Sequence, residues 1–94
     1  MLSQIPINLN KIDKKDIDRE ILRAAVIAEL DAINLYEQMA NLAEDTKLKT
    51  VLLDIAKEEK THVGEFQTLL LIHDKEMETE IANGKEEIEE LFKK

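Results

Sequence analysis

Glu59-Lys60-Thr61-His62 reads Glu-x-x-His, and its i, i+3 spacing sets a carboxylate and an imidazole on one side of a helix. Alone the motif is weak, because a solvated helical face produces it as readily. Its setting gives it weight. The pair interrupts an apolar row, Leu48, Leu52, Ile55, Glu59, His62, Phe66, Leu69, His73, and an earlier row, Leu22, Val26, Glu29, Ile33, Tyr36, Ala40, is interrupted by Glu29. An unpaired charge on a buried face costs several kcal/mol. Neither row carries a Lys or Arg to neutralise it. Carboxylate oxygens with one imidazole nitrogen suit iron or manganese, and with no cysteine in the chain the softer thiolate sites are excluded.

Other polar groups near these rows have plainer readings. His73 ends the second row and reads as a partner of the helix dipole rather than a ligand. Glu58 and Glu65 fall within a turn of His62 but off the row, as solvated positions do. The Glu-rich stretch over 76–90 reads as a soluble surface able to attract cations. Tyr36 lies two turns from Glu29 on the same row, so its hydroxyl could bond a ligand carboxylate or serve only as a core tyrosine.

The elements that must hold these residues are helices. Ala, Leu, Ile, Glu and Lys dominate, with two glycines and one proline, so the fold class expected is all-α. Residues 1–12 hold Pro6, Asn8 and Asn10 and alternate Ile5, Ile7, Leu9, the pattern of an extended arm. A first helix is expected over 14–45, with Asp13 or Asp16 as its cap, and a second over 47–73. A helical segment over 75–92 follows. Asp74 would cap it, and Asn83 and Gly84 signal a stop before a last polar turn or two. A second row on the first helix, Ile17, Ile21, Ala24, Ala28, Leu35, Met39, Leu42, reads as ordinary core. Two long helices and a short turn make an antiparallel hairpin, in which positions summing to about 91 face one another. Glu29 then meets His62, with Glu59 one turn away.

The whole chain, 1–94, reads as one domain. Thirteen Lys and Arg against 21 Asp and Glu leave a net charge of −8, which disfavours nucleic acid and anionic membrane surfaces. No run approaches the roughly 18 apolar residues of a membrane span, and no basic region precedes an apolar run at the N-terminus, so a cytoplasmic protein is expected. Ninety-four residues bury only a modest core, and self-association would extend it.

Di-iron bundles of the ferritin-like type use one Glu from each of two helices and Glu-x-x-His from each of the other two. This chain encodes half of that inventory. A complete site therefore calls for a homodimer, in which a two-fold axis brings Glu29, Glu59 and His62 of both chains to one pair of metal ions in a four-helix bundle. At these residues the sequence resembles the encapsulated ferritins, a two-helix branch of that superfamily. The likeness spans about 14–92 and centres on Ala28-Glu29-Leu30-Asp31-Ala32-Ile33-Asn34-Leu35-Tyr36-Glu37 and Glu58-Glu59-Lys60-Thr61-His62.

The resemblance implies an intersubunit di-iron (Fe) centre with Glu29, Glu59 and His62 as ligands and Tyr36 behind them. It implies a ferroxidase that oxidises Fe(II) with dioxygen or peroxide, and a ring-shaped decamer of such dimers. It also implies an encapsulin shell protein as partner and mineral storage inside an encapsulin nanocompartment. The chain departs from the family in two ways. Carboxylates often flank the helix 1 ligand where iron comes in, and here those positions are Ala28 and the shorter Asp31, so that task falls to Asp31. Members also tend to carry a C-terminal targeting tail, whereas this sequence stops at Lys94, as expected of a truncated chain or of a domain fused to a shell protein. The competing readings are a rubrerythrin-like di-metal peroxidase, a static zinc or manganese site, and a non-enzymatic acidic helical oligomerisation module.

Overall fold

The structure is a computed structural model that describes residues 13–93, so the arm expected over 1–12 lies outside the described residues. Those residues form three helices, α1 (Ile17–Leu42), α2 (Thr46–His73) and α3 (Lys75–Leu91). The fold is all-α.

The start of α1 lies at Ile17 rather than 14, because a turn closed by the Asp16 N–H on the Asp13 carbonyl (2.9 Å) precedes it. Asp16 holds the cap position, yet its carboxylate bridges Arg19 at 2.9 Å instead of capping. At the other end α1 stops at Leu42, three residues short of 45. The cause is the next helix: Asp45 caps α2 by accepting from the Lys47 N–H at 3.3 Å, which needs extended backbone (φ −72°, ψ 123°). Ala43 is extended too (φ −68°, ψ 135°), and its N–H closes the last turn on the Met39 carbonyl. Residues 43–45 are thus the whole connection, and helices of roughly 39 and 42 Å must run antiparallel.

Leu22, Ile33 and Ala40 of α1 pack with Leu52, Ala56 and Leu70 of α2 to form the core. The second row of α1 is not core in this chain. Ile21 is 43% and Leu42 80% exposed, and Ile17, Ala24, Ala28, Leu35 and Met39 are only half-buried, because this row lies roughly 130° round the helix from the one that meets α2.

Asp74 joins the third element to the hairpin. Its carboxylate accepts from the Met77 N–H at 3.0 Å, capping α3, and from Arg23 Nη2 of α1 at 2.7 Å. These two bonds, the backbone N–H first, hold its carboxyl below the usual carboxylate range. The stop expected at Asn83 and Gly84 does not occur. A C-terminal glycine ends a helix by turning to positive φ, and Gly84 keeps negative φ while α3 continues to Leu91. No residue of α3 is buried; its apolar stripe, Met77, Ile81, Ile88 and Leu91, is exposed. The helices span 49 × 46 × 19 Å with a radius of gyration of 16.8 Å. A compact chain of this length would have about 12 Å.

Candidate metal centre

Glu29 stands in the row of α1 that faces α2, one turn from Val26 and Ile33, so its carboxylate is directed inward by the same periodicity that buries Leu22 and Ile33. From α2, Glu59 and His62 reach the same level because three residues separate them on one face. The register set by the three-residue turn brings the groups together: one ligand atom from each of Glu29, Glu59 and His62 lies within 4.8 Å of the others. His62 Nδ1 is 3.5 Å from Glu29 Oε2 and 3.4 Å from Glu59 Oε2.

These separations are long for hydrogen bonds, whose N···O distances centre near 2.9–3.0 Å. They fit donors that share an ion. With bonds of about 2.1 Å, as for zinc, neighbouring donors lie about 3.0 Å apart in an octahedron and about 3.4 Å in a tetrahedron. A second observation agrees. Glu29 Oε2 is closed off from solvent and has no hydrogen-bond partner among the described residues. No Lys or Arg pairs with Glu29 or Glu59 among the described residues, so the acceptor capacity is left for a cation.

The side chains are unevenly covered. Glu29 and Glu59 are 19% and 18% exposed, and His62 is 43% exposed. The centre therefore sits at the flank of the hairpin, its carboxylates inside and its imidazole open. A groove of about 410 Å³ leads from it, lined by Glu29, His62, Glu65, Phe66 and Leu69. Two ion pairs across the helices bracket this level, Arg23 to Asp74 at 2.7 Å and Lys60 to Glu37 at 3.0 Å. Being largely exposed, the second adds little stability, yet both hold the register.

Of the residues singled out in the sequence, Glu29, Glu59 and His62 converge. Tyr36 is half-buried about 10 Å further along α1 and stands outside the cluster. Asp31 is half-buried roughly 200° round the helix from Glu29; it too is outside the cluster, and it has an interaction of its own. His73 is the exposed last residue of α2. Glu65 is exposed, as its place off the row predicts, and it also lines the groove. The signal that could have found it is the row Val51, Glu58, His62, Glu65, Leu69, Ile72, which advances by helical steps along the open flank of α2.

The sequence profile of the EncFtn-like family matches residues 5–83. A ferritin-like-encapsulin shell fusion protein of Pyrococcus furiosus is 57% identical over 93 residues, 97% of this chain. The chain spans 27% of that protein's length. The crystal structure of an encapsulated ferritin domain from Pyrococcus furiosus superposes with a TM-score of 0.83 at 55% identity, covering 98% of this chain and 96% of that one.

Proposed function

The chain belongs to the EncFtn-like family, and from that premise we propose that it is a ferroxidase whose di-iron site is completed by a second copy of the chain. The observation that carries this reading is the convergence of Glu29, Glu59 and His62 around an oxygen, Glu29 Oε2, that has no hydrogen-bond partner among the described residues. One chain offers two carboxylates and one imidazole, half of what a di-iron bundle uses. Apolar surface on the flank of the centre supports the same association. Ile21, Val51, Leu69 and Ile72 are 43%, 54%, 48% and 58% exposed, and Ala24 and Ala28 in the half-buried row of α1 are small enough for close helix approach. A four-helix bundle formed by two hairpins about a two-fold axis covers this surface and brings both sets of donors to one level.

Fe(II) is the substrate. In this reading Glu29 chelates one iron from each chain, Glu59 bridges, His62 completes each set of donors, and Tyr36 supports the ligands from along α1. Each of two Fe(II) gives up one electron; dioxygen accepts both with two protons and leaves as hydrogen peroxide, or peroxide accepts them with two protons and leaves as two waters. Carboxylates bind the harder Fe(III) more strongly than Fe(II), which favours oxidation. The net charge of −8 raises the local cation concentration. Asp31 assists uptake.

We further assign the product to mineral storage inside an encapsulin compartment in the cytoplasm, with the dimers arranged in a decameric ring. The support is the relative, 57% identical, named as a fusion of a ferritin-like part with an encapsulin shell. No helix among the described residues is long and apolar enough to cross a membrane.

Aerobic Fe(II) oxidation by the wild type and by a Glu29→Ala, Glu59→Ala, His62→Ala variant tests the centre. The wild type should turn over well above the uncatalysed rate and the variant should not. Equal, slow oxidation by both removes the enzyme reading.

A further inference from the structure

Beyond the three converging donors, the groove contains one more ionisable group, Glu65. It follows His62 by three residues and precedes Leu69 by four, so it faces the same flank of α2. The flank also carries Glu58 and His62 among apolar Val51, Leu69 and Ile72, and the apolar lining of the groove is Phe66 and Leu69. A carboxylate against apolar walls acts on a cation through a lower effective dielectric than a carboxylate on open surface. The same groove is lined by Glu29, whose Oε2 has no hydrogen-bond partner among the described residues, and by the half-exposed His62.

We propose that Glu65 is a positioning carboxylate of this centre: it takes up a divalent cation in the groove and passes it to Glu29, Glu59 and His62. The inference rests on the ferroxidase reading and adds the residue that sets how ferrous ions are captured. In the single chain Glu65 is exposed and makes no ion pair among the described residues.

The test uses the whole chain with Co(II) as a redox-stable probe, titrated by calorimetry without oxygen, and ferrous oxidation measured in parallel. Glu65→Gln should weaken Co(II) binding about tenfold, the low end of what a focused cleft contributes. It should raise the apparent KM for Fe(II) by a similar factor and leave kcat within about twofold. Glu65→Asp, which keeps the charge, should retain part of the affinity. The gap between wild type and Glu65→Gln should narrow as salt is raised, which a purely structural role would not produce. Glu65→Gln binding Co(II) as the wild type does, while His62→Ala does not bind, overturns the role of Glu65. His62→Ala binding as the wild type does overturns the centre itself.

Discussion

Replacing Glu29 by Leu should stabilise the protein without metal and destabilise it, relative to wild type, with metal. Glu29 Oε2 is shut off from solvent without a hydrogen bond, and such a group costs about 1–3 kcal/mol. The side chain retains 19% exposure, so the lower part of that range, about 1–2 kcal/mol, applies. Leucine fits a row already holding Leu22, Val26 and Ile33. For a domain of this size that gain raises Tm by roughly 5–10 °C in EDTA. At a free Co(II) concentration about a hundred times its Kd the wild type gains about 2.7 kcal/mol, and Glu29→Leu gains almost nothing, so the order reverses. The assay is thermal unfolding by circular dichroism at one fixed pH, with EDTA or Co(II) as the only variable. Protein concentration is held constant, since Tm depends on it for any chain that folds with association. A lower Tm for Glu29→Leu in EDTA would refute the reasoning, because it would mean that Glu29 is already satisfied within the protein.

Two further substitutions probe the frame. The Asp74 carboxyl is held below its ordinary value of 3.8 by the Met77 N–H and Arg23, so its stabilising contribution is present above that pH and is lost as pH falls through the lower folded value. Asp74→Asn should therefore lower Tm near pH 7, with the deficit shrinking in acid below about pH 4, as read by melts across pH. Gly84 lies inside α3 at negative φ with open space where a Cβ would stand, so Gly84→Ala should raise stability by about 0.5–1 kcal/mol, measured by urea unfolding. Loss of stability instead would mean that another chain approaches α3 closely at that point.

The hairpin and its centre were legible because each rests on local rules. Glu59 and His62 share a face by spacing alone, and the shortness of the 43–45 turn fixes which residues of α1 lie opposite. Three things were not legible, each for a physical reason. Apolar periodicity says that a face is to be covered and not by what, so the Ile17 to Leu42 row read as core although this chain leaves Ile21 and Leu42 exposed. Gly84 is compatible with both a stop and a continuing helix, and the good helix formers after it, Lys85, Glu86 and Glu87, decided for continuation. Glu65 lies about 60° round α2 from His62, outside the row that faces α1, and only the groove relates it to the other donors.

Exposed Leu69 of the apolar flank and Glu29, whose Oε2 has no hydrogen-bond partner among the described residues, line one groove, so one event can satisfy both. If a second chain covers Ile21, Val51, Leu69 and Ile72 and also brings three more donors, metal binding and association are linked. By reciprocity, the factor by which metal tightens the dimer equals the factor by which dimerisation tightens metal. A small core and an open centre are then two aspects of one incomplete unit. A hairpin that closed its own core with a third and fourth helix would need a second set of such donors, whereas the described residues bring together one, Glu29, Glu59 and His62.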